Sequence, residues 1–319
     1  MFLDYHLKDQ IVLNSNFVEC PVDGCHYLVE RQIGSFKKSS EFLCPHHSIY
    51  ISPSTYEYED MRDNLLWKDP TEIELLQRIL QVKRVNRIGR ERSEDAVIWN
   101  IFRYLKRNAK LDSFIGSLLQ TNIEVNTMYY WGYDELKGTI WQPLNEVRSI
   151  LDEFIITEPD ILLETNDTLI LLNGNVHGNI SIKPNSSKLI QPYLHQLEHN
   201  DLFKTSIDMI SFLTKHYNLA KLWFLGNYLS RFNKKKFIFI TIYNESRSNV
   251  MRMNDFQNTC ITINGNQQFL PVTWSTFHSH LVQLESDEEF GILENYLLHK
   301  TFGYQNGKLK RAFPTLVTN

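Results

Sequence analysis

Three cysteines and a histidine stand in two close pairs, Cys20 and Cys25 in "CPVDGC" and Cys44 and His47 in "CPHH", with eighteen residues between the pairs. A C-x4-C followed by a C-x2-H is the spacing a tetrahedral Cys3His zinc site requires: each short pair forms a knuckle, and the loop between lets the knuckles face each other. Gly24 eases the tight turn of the first knuckle. His46 and His26 are alternatives to His47, and Cys260 lies alone far downstream. Such a closed site is structural, holding residues that have too little core to fold alone. The competing reading is three free cysteines used as small apolar residues, because a disulfide does not suit a cytosolic chain.

A second polar group ends the stretch "TEPDILLETNDTLILLNGNV", residues 157 to 176. "DILL" and "TLILL" are short apolar runs and "ETND" is turn chemistry, so a hairpin is expected. With Asn166 and Asp167 at the centre of the turn, Thr165 pairs with Thr168 and Asp160 falls opposite Asn173. Side chains alternate along a strand, so Asn173 and Asn175 share a face with one another. The alternative takes Asn173-Gly174 as the turn of a further hairpin and the polarity as loop solvation.

The elements that must position these groups are legible in outline. "TEIELLQRILQVKR" carries apolar residues near the 3.6 period and predicts a helix starting around Thr71, with Pro70 just before it. Ser93 is a candidate cap for a second helix with Val97, Ile98, Ile101, Phe102 and Leu105 as its buried stripe. Glu94 then falls in the first turn, where an acidic residue complements the helix dipole. "FIFITIY" reads as a strand, and Lys234-Lys235-Lys236 before it as a turn at the strand's edge.

The whole chain has 319 residues, 42% of them hydrophobic, and a net charge of −4, which suits a globular protein rather than a disordered or polycationic one. The first fourteen residues mix acidic and basic side chains and do not read as a secretory signal, and no apolar run suggests a membrane span, so the cytoplasm is the expected compartment. From Lys83 to Lys110, nine basic residues face three acidic ones. That strip reads either as a solvated helix surface or as a face for phosphates.

Taken in order, "RSEDAVIWNIFRYL", "TEPDILLETNDTLILL", "YLHQLEHN", "FIFITIYNE", "LPVTWSTFHSHL" and "GKLKRAF" resemble the PD-(D/E)XK restriction-endonuclease-like superfamily over residues 71 to about 315. "FLCPHHSIYISPSTYEYED" resembles the zinc-ribbon lead-in of some bacterial members. The resemblance implies an α/β fold, a mixed central sheet flanked by helices, at 71–319, preceded by a zinc-ribbon-like module and connector at 1–70. It also implies a restriction or defence endonuclease acting on DNA with magnesium, with a protein partner or a homo-oligomer left open. By the same resemblance Asp160 matches the metal-binding aspartate and Glu94 the acidic residue of the preceding helix. Gln196, with His199 and Asn200 after it, matches a polar motif on the following helix. Asn173 and Asn175 stand where the family has its second carboxylate and its lysine. A neutral amide supplies neither a charged ligand nor a point charge for an attacking water, so weak or absent cleavage is expected unless His177 or Lys183 substitutes. A relative that binds DNA or a partner without cutting is the other reading.

Overall fold

The computed structural model describes residues 6–151, 157–176, 202–204, 208–284 and 287–313. The chain divides into two compact units: Met1–Glu74 with Arg84–Lys110 and Val282–Asn319, and Leu75–Lys83 with Leu111–Leu281.

In the first unit the cysteine-bearing segment folds into very short strands. Phe17–Glu19 pairs antiparallel with Leu28–Glu30, and Leu43–Cys44, Ile49–Ile51 and Tyr56–Tyr58 form a second small sheet. The helix Glu94–Arg107 begins as expected, with the Ser93 side chain accepting from the Ala96 backbone N–H. Its burial is not confined to one stripe, for every residue from Ala96 to Leu105 is buried. Two polar residues are taken inside because each meets a partner distant in sequence. Asn100 accepts from the Leu66 backbone N–H at 3.0 Å, and the Arg103 guanidinium binds the Glu72 carboxylate at 2.5–2.6 Å. Glu288–His299 and the hairpin Thr301–Gln305/Lys308–Arg311 complete the unit.

The second unit is built on a seven-stranded mixed sheet in the order Gln267–Thr273, Lys236–Tyr243, Thr168–Gly174, Ile161–Glu164, Thr127–Tyr130, Tyr133–Asp134, Thr139–Ile140. The first three strands are parallel, the rest antiparallel. The continuous apolar runs "TLILL" and "FIFITIY" become central strands buried on both faces, as parallel strands require. Helices Met209–Phe232 and Arg247–Asp255 lie in the crossovers between parallel strands. Gly226 lets the long helix close onto the sheet: a Cβ there would meet the Phe237 ring at 1.9 Å. Among the described residues no helix is long and apolar enough to cross a membrane.

Candidate functional site

The four metal-ligand candidates converge although two knuckles and an intervening loop separate them. The sulfurs of Cys20, Cys25 and Cys44 and a nitrogen of His47 all lie within 4.8 Å of one another. Zinc with bonds of about 2.3 Å to sulfur and 2.0–2.1 Å to nitrogen sets tetrahedral edges of about 3.8 Å for S···S and 3.6 Å for S···N. The separations are 3.9 Å between Cys25 and Cys44, 3.5 Å from Cys20 to His47 Nδ1, and 3.6 Å from Cys44 to the same nitrogen. The donor set fits zinc in type and in size. Gly24 turns the first knuckle with φ +72°, and the sulfurs are buried. The Cys44 thiol is drawn down to about 5, first by the hydrogen bond from Cys20 and against burial. Crowded sulfur favours a shared positive charge, which a dication supplies to all three. The alternative histidines are otherwise engaged, His26 with Glu19 at 3.1 Å and His46 edge-on to the Tyr27 ring.

The hairpin is formed in the expected register: Leu169 pairs with Glu164 and Leu172 with Ile161, and the Thr165 N–H donates to the Thr168 carbonyl at 2.9 Å. The strand continues through Asn173 and Gly174, paired in parallel with Thr241 and Ile242, so Asn173-Gly174 is not a hairpin turn. Continuing the antiparallel register by one residue sets Asp160 against Asn173. One Asp160 oxygen accepts from the Gly174 N–H at 2.8 Å, which ties the carboxylate to the strand end. Leu169 and Leu171, on the face of Asn173, belong to the core. Asn173 and Asn175 are half-buried where that apolar face ends, and Thr241 beside Asn173 has a buried hydroxyl with no hydrogen-bond partner among the described residues. The Asn175 backbone is held at both ends, its N–H by the Ile242 carbonyl and its carbonyl by the Trp274 indole N–H.

This strand end therefore bears two carboxamides, with the Asp160 carboxylate tied to its backbone. Glu94 is the first residue of its helix, in the first unit, whereas Asp160 and both asparagines are in the second. Gln196, His177, Lys183, His199, Asn200 and the helix expected at "YLHQLEHN" lie outside the described residues.

The basic strip does not stay a uniform charged face. Arg103 is buried on Glu72, Arg107 binds Asp69 and Glu289, Lys110 binds Asp287, and Lys83 lies 3.6 Å from Glu158. Arg87, Arg90 and Arg92 remain close enough to repel: the Arg92 guanidinium is held below its ordinary value by partial burial first and then by the charges of Arg90 and Arg87. Arg90 also binds Glu57 at 3.1 Å. No local pattern announced which cations would be neutralised, since their acidic partners lie 31 to 182 positions away. Comparison of the chain with protein-family models, with curated proteins and with solved structures finds no match.

Proposed function

We propose that the chain is a DNA endonuclease-like protein of restriction or defence type, of the PD-(D/E)XK kind. It binds duplex DNA and its cleavage chemistry is disabled at Asn173 and Asn175. One observation carries this reading: the hairpin holds Asp160, through its bond from Gly174 N–H, beside the strand end that bears the two asparagines. The bland account of that bond is a strand-end cap. It explains Asp160 and leaves unexplained why two carboxamides follow at alternate positions on one face.

Magnesium, in the proposed ancestral chemistry, polarises a phosphate and lowers the pKa of an attacking water. The donor set on the hairpin fits it poorly: one carboxylate with an oxygen already engaged, and neutral amides in place of further anionic oxygens. Asp160 supplies the carboxylate for a cation, Asn173 offers a carbonyl ligand, and Asn175 offers no proton exchange near neutrality. Loss of a single such electrostatic contact costs on the order of a hundredfold in rate, and two are lost here. Phosphate contacts would come from the Arg87, Arg90 and Arg92 cluster, whose mutual repulsion an anion relieves.

Plasmid nicking with magnesium tests the reading. The native chain is expected to nick barely or not at all. Asn173→Glu with Asn175→Lys leaves net charge unchanged and is expected to gain cleavage that Asp160→Ala abolishes, each single change doing much less. Duplex binding is expected to weaken steeply with rising salt, and to fall for all sequences alike in the Arg87→Gln, Arg90→Gln, Arg92→Gln triple variant. A folded but inert double variant whose parent also fails to bind DNA removes the proposal.

A further inference from the structure

Two helices meet through matched positions in the second unit. On Leu111–Leu119 and Trp274–Val282 the rings of Phe114 and Phe277, both fully buried, contact edge to face with centroids 4.9 Å apart. Three residues further along each helix, and so on the same face of each, Ser117 Oγ lies 2.6 Å from His280 Nδ1. A buried aromatic contact one turn away thus fixes the pair. Both partners are half-buried, so water is within reach and burial does not demand the bond. Helical hydroxyls also have a local alternative: Ser149, Ser230, Ser279 and Thr214 each donate to a backbone carbonyl three or four residues earlier. Ser117 turns its hydroxyl to an imidazole instead.

The same serine lines a groove of ≈ 740 Å³, within the range of small-ligand sites. One wall is the helix face bearing Asp112, Gly116 and Ser117, and the other is the loop that follows. Gln120 turns the chain back with a left-handed φ of +54°, the Thr121 N–H donates to the Gly116 carbonyl at 3.1 Å, and the Val125 N–H reaches the Asp112 carboxylate at 3.1 Å. Gly116 permits the close approach, since a Cβ there would stand 2.8 Å from the Thr121 carbonyl oxygen. The loop is therefore pinned at both ends beside Ser117. Between the pins, the backbone N–H groups of Asn122 and Ile123 have no acceptor among the described residues. A nucleophile, a base and unengaged donors are the parts that acyl transfer uses. Among the described residues the groove is lined by one carboxylate and no cation, which disfavours a phosphate and suits an uncharged acyl group.

We propose that Ser117 and His280 form a nucleophile and base that hydrolyse uncharged carboxylic esters bound in this groove. With its own proton on Nε2, the imidazole takes the Ser117 proton at Nδ1 while Oγ bonds to the ester carbonyl carbon. The Asn122 and Ile123 N–H groups supply hydrogen bonds to the oxyanion that forms. As the carbonyl re-forms, the bond to the alkoxy oxygen breaks and Nδ1 passes its proton to the departing alcohol. Water then attacks the acyl-serine, its proton passing to Nδ1 and on to Oγ, and the carboxylic acid leaves. Neither residue belongs to the hairpin site, and the test runs without DNA or magnesium, so its failure leaves the nuclease reading untouched.

Labelling of the folded full chain with a fluorophosphonate, followed by peptide mass spectrometry, is expected to place the adduct on Ser117, and p-nitrophenyl acetate is expected to be turned over. Ser117→Ala is expected to abolish both, and His280→Gln to slow both by about a hundredfold or more. Ser279→Ala, which removes a hydroxyl bonded back to its own helix, is expected to change neither. An unlabelled Ser117 in the native chain overturns the proposal, an outcome that depends on no variant folding. Turnover that persists in Ser117→Ala, or equal rates in His280→Gln shown to be folded by circular dichroism, also overturns it and leaves the contact as helix packing. An adduct on Ser117 without ester turnover overturns it as a hydrolase.

Discussion

His216 shows how one side chain converts a local irregularity into a dependence on pH. It departs from helical geometry inside Met209–Phe232 (φ −119°, ψ 23°), its ring packs against Phe212 and Phe256, and its side chain has no exposed surface. Nε2 lies 2.7 Å from an Asp255 oxygen that Lys215 also binds at 2.6 Å, while Nδ1 is buried without a partner among the described residues. Burial lowers the imidazole pKa first; Asp255 opposes this, and the charges of Lys215 and Arg252 reinforce it. A histidine whose folded pKa is depressed contributes stability that is present above its unfolded value, about 6.5, and is lost as pH falls toward and through the folded value. Asp255 is depressed from an already low value, so it loses its contribution only in stronger acid. Denaturant unfolding at pH 7.5 and 5.5 is therefore expected to show weaker stability in acid, with His216 responsible for up to about 1.4 kcal/mol per pH unit inside its window. His216→Gln is expected to flatten that slope. An unchanged slope would show that other histidines set it.

At the scale of elements, a metal such as zinc on the Cys3His quartet would do the work that a core does elsewhere. The strands around it are two or three residues long, too short to stabilise themselves by pairing alone. Bound metal would join the first knuckle to the second across that weak framework, and structural zinc contributes several kcal/mol to modules of this size. Elemental analysis of protein purified without chelator is expected to find one zinc per chain, with Cys260 uninvolved. Cys44→Ser is expected to lose the metal and to open the first roughly 60 residues to protease. Loss of metal with an unchanged digestion pattern would mean that the surrounding hairpins hold without it.

Over the whole molecule, distant parts of the chain are joined by buried polar contacts. In the first unit Glu91 and Lys300, separated by 209 positions, are 0% and 1% exposed. Glu91 accepts from the Lys300 ammonium at 3.3 Å and from the Thr301 N–H at 3.1 Å, and Lys300 donates to the side-chain amide oxygen of Asn64 at 2.7 Å. Burial pushes the Glu91 carboxyl up and the Lys300 ammonium down, each against the pull of the other. Removing one partner leaves a buried charge uncompensated, so Lys300→Met is expected to cost about 3–5 kcal/mol in denaturant unfolding. Adding Glu91→Gln is expected to recover much of that loss. A double variant as unstable as Lys300→Met would show that packing around the lysine stem, rather than charge, carries the contribution.

The sequence by itself determined what depends on near neighbours. The spacing of Cys20, Cys25, Cys44 and His47 picked out the cluster that could hold a metal, and the turn at Asn166-Asp167 set the pairing of Leu172 with Ile161. It also determined the cap at Ser93 and the mixed α/β class, since period and turn chemistry act within a few residues. Only the tertiary structure decided the fate of the charges. Arg103 went into the interior with Glu72, and much of the Lys83–Lys110 strip was paired with carboxylates distant in sequence. The reason is physical: a charge is stabilised by whichever opposite charge lies within a few ångströms, and such partners come from elements that meet only when the chain has folded.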